Sequence, residues 1–287
     1  MKTPFMETSN RLVKEIYLPR DKFSKKGDYG KLLVIGGSDK YTGSAALVSL
    51  AAYASGCDLV WNAAPRRAAD VMASFSPDIM AFPLKGDYLN KSHTKPVLKL
   101  SERADAIVIG NGLGMEKETM AAVLEIISKI EKPMVIDADA IKALTPKNHK
   151  ILDGRDAVLT PHAYEMSVFS GKDVDLDLQK RIQLVTEFSS SLDVVIVLKG
   201  DTDVIGAKGK ISINKTGNPY MTVGGTGDTL AGICGALISR GTDVFGAACV
   251  ATFLNGLAGD MCAKDWGEGL TASKLIDYIP KAIKTAL

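Results

Sequence analysis

The sequence predicts an α/β fold in which helices cover both faces of a mostly parallel sheet. Short runs rich in β-branched residues are apolar throughout, which is typical of strands buried on both faces. Between these runs, apolar residues recur at spacings of three and four, which indicates helices. Strands that alternate with helices need crossover connections, and these join parallel strands. The predicted strands are 32–35, 59–61, 106–109, 134–136, 157–159 and 194–198.

The remaining predicted elements are five helices, one hairpin and an N-terminal extension. Two short β runs within residues 203–213 flank Lys208, Gly209 and Lys210, so we expect a hairpin turn and a small antiparallel excursion there. The polar residues 1–28 are expected to form an extension, either a peripheral helix or a partly mobile segment. We expect one domain over residues 1–287, since parallel-sheet folds often reach about 250 residues as one unit. The predicted helices are 44–55, 117–130, 176–192, 229–240 and 244–261.

Composition and charge favour a protein that acts on small molecules inside the cell. The 35 Lys and Arg nearly balance the 33 Asp and Glu, and a net charge of +2 is too small to imply nucleic acid or a membrane as the main partner. The first twenty residues lack a signal-peptide stretch, and the most apolar segment, 244–259, is shorter than the roughly 20 residues of a bilayer span. The cysteines form no CxxC pair and lie in segments predicted as buried helix, so we expect free thiols and a cytoplasmic location. They are Cys57, Cys234, Cys249 and Cys262.

Glycine-rich loops follow two of the predicted strands. Ligands of parallel α/β sheets bind at the carboxyl ends of the strands, so these loops are candidate binding sites. Residues 36–47, GGSDKYTGSAAL, match neither a Walker P-loop nor GxGxxG, but their glycines let the backbone approach a ligand closely. A tight turn without a ligand explains the same residues equally well. The second loop, GNGLG at 110–114, is weak evidence by itself.

Polar residues follow the next two predicted strands. The sequence DADAI places Asp137 and Asp139 at the ligand-bearing edge, where carboxylates can organise Mg²⁺ or a sugar hydroxyl. Aspartate after a strand is also a common helix cap, and we favour that role for at least one of the two. In TPHAYEM, Pro161 ends the strand and places His162 and Glu165 at the start of a helix. A substrate contact and a structural role are both open for His162.

The most informative segment is GNPYMTVGGTGDTLAGICGALISRG, residues 217–241. Glycines precede a predicted helix at 229–240, and the unsatisfied amides at 226–229, with the helix dipole, attract an anion. As a dipole partner, Asp228 would contribute only about 0.3–1 kcal/mol and would compete with a bound phosphate. It can instead accept the proton of a hydroxyl that attacks this phosphate, as phosphoryl transfer requires. We therefore predict that Asp228 is a catalytic base, with helix capping as the alternative.

As an ordered set, these motifs resemble the ribokinase-like superfamily and, within it, the ADP/ATP-dependent NAD(P)H-hydrate dehydratases. The resemblance runs from about Gly27 to the C-terminus and includes VLKGD at 197–201. It implies a ribokinase-like fold and repair of hydrated nicotinamide cofactors: a nucleotide phosphorylates the hydroxyl on the hydrated ring, and loss of phosphate restores NADH or NADPH. It also implies ADP or ATP as cosubstrate, Mg²⁺, and a homo-oligomer such as a tetramer. Nucleic acid and membranes are not expected partners.

The resemblance also implies roles for single residues. Asp228 matches the catalytic base and a contact to the hydrate, and Glu165 matches an acidic position that helps to organise Mg²⁺ indirectly. The other positions that match hydrate contacts are Ser44, Gly112 and His162. The positions that match nucleotide contacts are Lys199, Gly200, Asp201, Thr202, Asp203, Asn218, Gly225, Thr226 and Gly227.

The sequence departs from the family pattern at five positions. Ser44 stands where Ala is usual, Asn111 where Pro is usual, and residues 163–164 where Pro-Gly is usual. Asp203 stands where Thr is common in the nucleotide segment. Asp203 matters most, because a carboxylate repels a nucleotide unless it points away or meets a cation.

Two other functions fit the same motifs. A ribokinase-like kinase for a vitamin precursor or a sugar would keep Asp228 and the anion site but would release a stable phosphorylated product. A nucleotide-sensing module would bind without turnover. The glycine-rich first loop and TPHAYE favour the dehydratase, and Asp228 argues against a sensor, because sensing needs no base. The residues do not distinguish ADP from ATP.

Overall fold

One sheet of ten strands runs through the computed structural model, which describes residues 6–287. The strands are β1 (Met6–Glu7), β2 (Lys31–Ile35), β3 (Leu59–Pro65), β4 (Met80–Leu84), β5 (Ala106–Ile109), β6 (Met134–Ile136), β7 (Ala157–Leu159), β8 (Val195–Leu198), β9 (Asp203–Ala207) and β10 (Lys210–Asn214). Their order in the sheet is β1-β10-β9-β8-β7-β6-β5-β2-β3-β4. Neighbours are parallel except at β9, which is antiparallel to both β8 and β10. The predicted sheet with a small antiparallel excursion is confirmed.

Helices cover both faces of this sheet. Within the described residues they are α1 (Asn10–Ile16), α2 (Ser44–Ala54), α3 (Arg66–Phe75), α4 (Thr94–Ser101), α5 (Lys117–Lys129), α6 (Asp139–Ala143), α7 (Ala163–Ser170), α8 (Leu178–Leu192), α9 (Thr226–Ser239), α10 (Val244–Trp266), α11 (Ala272–Ile276) and α12 (Ile279–Ala286). One buried cluster joins α2, α9, α10 and α12 to the sheet, and a second joins α4, α5, α7 and α8. Alternate residues of β2 enter different clusters, Leu32 and Val34 the first, Leu33 and Ile35 the second, which explains the uninterrupted apolar run.

The observed bounds of the central strands agree closely with the predicted bounds, whereas the strands at the two edges of the sheet were not predicted. β5, β6 and β7 begin and end at the predicted residues. The apolar pattern does not reveal β1 and β4, which lie at the two edges; β4 contains Pro83, and proline is tolerated at an edge because its missing N–H faces outward. The predicted hairpin is present, but its turn consists of Lys208 and Gly209, and Lys210 already belongs to β10.

Three predictions about helices need correction. α9 begins at Thr226 rather than at residue 229, because the preceding Gly225 has a left-handed φ of +98° and starts the helix earlier. α8 begins at Leu178 rather than at residue 176, because the Asp177 side chain caps it. Cys57 lies between α2 and β3 rather than in a helix, although all four cysteines are buried free thiols as expected.

The N-terminal extension is partly integrated into the fold. β1 pairs with β10, and α1 packs near α10 and α12. The predicted peripheral helix is therefore present, but its Val13 is fully buried in the core. Residues 1–5 of the predicted extension lie outside the described residues.

The apolar run Val244–Gly269 is long and apolar enough to cross a bilayer by length and composition. However, 67% of its most apolar window is buried inside the protein. Its Asn255 accepts a hydrogen bond from Thr229 Oγ1 on α9 at 2.7 Å. These contacts are those of a core helix, as the sequence predicts.

Candidate active site

The N-terminus of α9 carries the predicted anion-binding amides. Gly225 precedes the helix, and a Cβ at this position would stand 2.6 Å from Leu47 Cδ1, so only glycine fits. The Thr229 amide donates to the Gly225 carbonyl at 3.0 Å, which corrects the expectation that it is free. The donors left for an anion are the amides of residues 226–228.

Asp228 lies in the first turn of α9 and lines a cavity of about 620 Å³. It is not the helix cap, a position that Gly225 holds. Its Oδ1 accepts a hydrogen bond from Asn111 Nδ2 at 2.7 Å. Burial, followed by the negative charge of Asp137, raises the pKa of Asp228 to about 7, against the hydrogen bonds from Asn111 and Ser44. A carboxylate with this pKa is suited to accept a proton near neutral pH.

Asp137 is buried beside Asp228 and accepts three hydrogen bonds. Asn111 Nδ2 donates to its Oδ2 at 2.8 Å. Thr160 Oγ1 and Lys199 Nζ donate to its Oδ1 at 2.6 and 3.2 Å. The three donors follow β5, β7 and β8, so the carboxyl edge of the sheet brings together residues that are far apart in sequence.

Neither aspartate of DADAI caps α6, so the expectation of at least one cap is wrong. The cap position is Ala138, which offers no side-chain hydrogen bond. Asp139 accepts hydrogen bonds from the Gly114 amide and from Lys142 Nζ, both at 2.9 Å. Both Asp137 and Asp139 therefore bond to donors outside the start of the helix.

The turn between β6 and α6 is strained. Ala138 has φ 52° and ψ −120°, a conformation that L-residues rarely adopt. The Asp137 carbonyl accepts from the Ala140 amide at 3.2 Å, so Ala138 occupies the glycine position of a type II′ turn. Such conformations cost about 1–3 kcal/mol and cluster at functional sites. Here the strained residue sets the directions in which Asp137 and Asp139 leave the backbone.

Lys199 follows β8 and stands between the acidic side chains and the N-terminus of α9. Its Nζ lies 3.2 Å from Asp137 Oδ1 and 3.8 Å from Glu165 Oε2. Burial alone would lower the pKa of Lys199, but the carboxylates of Asp137 and Glu165 raise it above its ordinary value. A Cβ on Gly227 would stand 3.3 Å from the same Nζ. A charged ammonium group therefore lies beside the anion-binding amides.

His162 and Glu165 cap α7 reciprocally. The His162 amide donates to Glu165 Oε2 at 3.0 Å, and the Glu165 amide donates to His162 Nδ1 at 3.4 Å. Glu165 is buried, whereas half of the His162 side chain is exposed. Burial lowers the pKa of His162, so its ring is mainly neutral at pH 7. The geometry supports a structural role for His162, and its contact to the hydrate stays a prediction.

The predicted nucleotide segment forms a turn that Asp203 holds closed. Asp203 Oδ1 accepts from the Gly200 amide at 3.0 Å, and Oδ2 accepts from Asn214 Nδ2 at 3.1 Å. Burial raises the pKa of Asp203. The carboxylate therefore points into the hairpin, which is one of the two arrangements in which Asp203 is compatible with a nucleotide at this turn.

Asn218 and Asp201, two further residues predicted to contact the nucleotide, differ in the hydrogen bonds and the exposure of their side chains. Asn218 Oδ1 accepts from the Tyr220 amide at 3.0 Å, and Nδ2 donates to Asp260 Oδ1 at 2.9 Å, so Asn218 stabilises its own loop. The Asp201 side chain is 90% exposed and lies 3.2 Å from a guanidinium nitrogen of Arg181. Contacts from either residue to a nucleotide stay predictions.

The cavity beside Asp228 includes two of the residues that match hydrate contacts. Gly112 has φ +70°, and a Cβ there would stand 3.1 Å from Ser44 Cβ, so the close approach of the two loops requires glycine. Asp228, Ser44 and Gly112 line the cavity, and His162 does not. The other lining residues are Lys40, Tyr41, Gly114, Met115, Glu116, Ala138, Asp139 and Lys142.

Sequence reasoning missed the role of Asn111 in this site. It identifies Asn111 only as a departure from the family pattern, whereas the structure places this side chain between Asp137 and Asp228. A polar residue directly after a buried strand is the signal that the sequence offered. The partners of Asn111 are 26 and 117 positions away in sequence, so spacing could not reveal them.

Metal ligands are sparse among residues 6–287. No group of three or more His, Cys, Asp or Glu side chains is placed there to hold a metal ion. Glu165 Oε2 accepts from a backbone amide, and Oε1 lies 3.3 Å from His162 Nε2. Contact between Glu165 and a metal ion stays a prediction.

Sequence comparisons relate this chain to known proteins. The family model described as NAD(P)H-hydrate dehydratase matches residues 32–281. The bifunctional NAD(P)H-hydrate repair enzyme of Pyrobaculum aerophilum is 43% identical over 263 residues, which are 91% of this chain and 52% of that protein. The chain thus spans about half the length of the bifunctional relatives that it matches. The ADP-dependent (S)-NAD(P)H-hydrate dehydratase of Cenarchaeum symbiosum is 33% identical over 95% of this chain and 94% of its own length.

The fold is also shared with a solved structure. The ADP/ATP-dependent NAD(P)H-hydrate dehydratase of Bacillus subtilis, crystallised with ATP and Mg²⁺, superposes with a TM-score of 0.82 and 28% sequence identity. The match covers 100% of both chains. A ribokinase-like protein of Enterococcus faecalis superposes with a TM-score of 0.84 at 24% identity, which confirms the ribokinase-like fold.

Proposed function

The chain belongs to the NAD(P)H-hydrate dehydratase family, and we propose that it uses ADP or ATP to dehydrate NADH hydrate or NADPH hydrate. The observation that carries this proposal is the Asp228 carboxylate, whose raised pKa of about 7 occurs next to helix amides that suit a phosphate. We further propose that residues 1–287 act as one cytoplasmic domain. Assembly as a homo-oligomer, such as a tetramer, also belongs to this proposal and is measurable by light scattering.

The first step is phosphoryl transfer to the hydroxyl on the hydrated ring. Asp228 takes the hydroxyl proton while the oxygen forms a bond to the terminal phosphorus of the nucleotide. The bond from that phosphorus to its bridging oxygen breaks, which leaves AMP from ADP or ADP from ATP. The amides of residues 226–228 and the ammonium group of Lys199 face the charge that develops on the moving phosphoryl oxygens.

The second step is elimination. The carbon–oxygen bond to the new phosphate ester breaks and releases inorganic phosphate. The neighbouring ring carbon loses a proton to solvent, and the two electrons of its C–H bond form the ring double bond of NADH or NADPH. Phosphate is a better leaving group than hydroxide, which is the chemical reason to use a nucleotide. The cavity of about 620 Å³ beside Asp228 is a suitable size for part of such a dinucleotide.

Substrate and nucleotide would contact different sides of Asp228. Ser44 and Gly112 are proposed to contact the hydrate from within the cavity, and His162 from its half-exposed position at the start of α7. The nucleotide is proposed to lie along the turn at 199–203 and the amides at 225–227. Asp203 supports this turn from inside the protein.

Mg²⁺ fits this site as a partner of the nucleotide. Mg²⁺ commonly keeps several waters and binds phosphates together with one or two carboxylates. Glu165 is the proposed indirect contact, since its oxygens already face His162. When bound, Mg²⁺ neutralises phosphate charge. Chelation by EDTA is therefore expected to abolish turnover, and added Mg²⁺ to restore it.

One assay tests the proposed function. The protein is incubated with NADH hydrate, Mg²⁺ and either ADP or ATP, and the absorbance of reduced nicotinamide is followed. We expect the signal to recover only when nucleotide is present. Asp228→Asn is the matched control. It should lower the turnover rate by about 10²–10⁴-fold and leave the affinity for the nucleotide unchanged. A kinase for another substrate or a nucleotide sensor would leave the absorbance unchanged, and either outcome would overturn the dehydratase.

A further inference from the structure

Asn111 connects the two neighbouring carboxylates of the candidate active site. It is fully buried and lies two residues after the end of β5. Its Nδ2 donates to Asp228 Oδ1 at 2.7 Å and to Asp137 Oδ2 at 2.8 Å, so both amide hydrogens are used. The opposite orientation of the amide would set its oxygen against two carboxylates. The partners therefore determine the orientation of this side chain.

The other end of the same side chain is not satisfied. Asn111 Oδ1 is buried and has no hydrogen-bond partner among residues 6–287. Buried polar atoms without partners are rare in folded proteins, and a hydrophobic residue would fill the same space without this cost. The presence of asparagine is therefore explained by its nitrogen and by the two carboxylates to which it donates.

Asp137 provides a fixed anchor for this arrangement. Thr160 Oγ1 and Lys199 Nζ hold its Oδ1, and Asn111 holds its Oδ2. Asn111 transmits this fixed position to Asp228 through the 2.7 Å hydrogen bond to Oδ1. Asp228 Oδ2 is the oxygen that Asn111 does not contact, and Asp228 lines the cavity together with Ser44.

We propose that Asn111 is a positioning residue that holds the Asp228 carboxylate in its charged form and in one rotational orientation, with Oδ2 directed at the substrate hydroxyl. This inference rests on the proposed role of Asp228 as the base. It assigns Asn111 no contact with the substrate. Its effect is transmitted only through Asp228.

The electrostatic surroundings give the direction of the expected effect. Burial and then the charge of Asp137 raise the pKa of Asp228, and the hydrogen bond from Asn111 is the largest contribution that lowers it. Removal of this donor therefore raises the pKa further. The charged groups that face Asp228 or its cavity are Asp137, Lys199, Lys40, Glu116, Asp139 and Lys142.

The test is a ¹³C NMR titration of the aspartate carboxyl groups in wild type and in Asn111→Ala, with Asp228→Asn used to assign the Asp228 signal. Loss of one hydrogen bond to a charged group should raise the Asp228 midpoint by about one to two pH units. Asn111→Leu provides a second variant, because it keeps the side-chain volume and lacks the donor. An unchanged midpoint in the folded variants would overturn the proposal.

A matched control is available on β3, which β2 separates from β5 in the sheet. Asn62 is also fully buried and accepts a hydrogen bond from Ser49 Oγ at 2.9 Å, and its Nδ2 has no hydrogen-bond partner within residues 6–287. Asn62→Ala should lower stability but leave the Asp228 midpoint unchanged. In the dehydration assay, the acidic limb of the kcat/KM profile of Asn111→Ala should shift together with its NMR midpoint. If wild type showed no turnover, the proposed function would fail, and the NMR midpoints would still decide the role of Asn111.

Discussion

Lys199 and Gly227 face each other at the N-terminus of α9. A β-carbon on Gly227 would stand only 3.3 Å from Lys199 Nζ, and the helix amides lie directly beside this gap. A phosphoryl group held by those amides would therefore lie next to the ammonium group of Lys199. A side chain at position 227 would enter the same confined region beside the positive charge.

The first prediction concerns Gly227→Ala. The new methyl group enters the space between the helix amides and Lys199, so nucleotide affinity and kcat should both fall. Folding should not suffer, because alanine is favoured over glycine in a helix by up to about 1 kcal/mol. Calorimetric titration with ADP and thermal unfolding would measure the two effects. Gly269→Ala is the control, since its Cβ would meet Lys274 Nζ at an ordinary 3.8 Å outside this site, and ADP binding should be unaffected.

The second prediction concerns the pH dependence of turnover. The proposed base must be ionised, and burial with the charge of Asp137 raises the pKa of Asp228 to about 7. The value of kcat/KM should therefore fall as pH decreases below about 7, approaching a tenfold loss per pH unit. A steady-state profile from pH 5 to 9 measures this limb. A rate that stays constant down to pH 5 would exclude Asp228 as the proton acceptor.

The third prediction concerns stability in Asp228→Asn. The folded-state pKa of about 7 exceeds the ordinary 3.8, so the folded protein binds this proton more tightly than the unfolded chain does. The contribution of Asp228 to stability therefore declines as pH rises from 3.8 to about 7. The uncharged asparagine avoids this decline. The difference in Tm between Asp228→Asn and wild type should therefore increase in favour of the variant across this range and then stay constant. Calorimetry at several pH values measures this difference. Equal Tm values for the two proteins at pH 8 would contradict the prediction.

The fourth prediction concerns the strained turn at Ala138. Its φ of 52° and ψ of −120° suit glycine, and relief of the strain should exceed the greater entropy that glycine has in the unfolded chain. Ala138→Gly should therefore raise the free energy of unfolding by about 1 kcal/mol, and Ala138→Val should lower it. Urea denaturation measures both changes. An Ala138→Gly variant that is less stable than wild type would contradict the proposed strain.

Local patterns were sufficient for most of the fold. The central strands β5, β6 and β7 are recognisable because residues buried on both faces must be apolar at every position. The edge strand β4 cannot be recognised in this way, because only part of it is buried and Pro83 interrupts its apolar pattern. The start of α9 was displaced by three residues, because glycine has a low helix propensity and the sequence cannot show that Gly225 is left-handed.

The sequence by itself determined the α/β class, the prediction of an anion site at the GTGD segment and the candidacy of Asp228, because each depends on residues close together in the chain. Tertiary structure alone decided how Asp137, Asn111 and Lys199 surround that carboxylate, and that Asp203 points inward. The physical reason is that parallel strands deliver distant loops to one edge of the sheet. Hydrogen bonds and pKa shifts depend on distances between those loops, which sequence spacing does not contain.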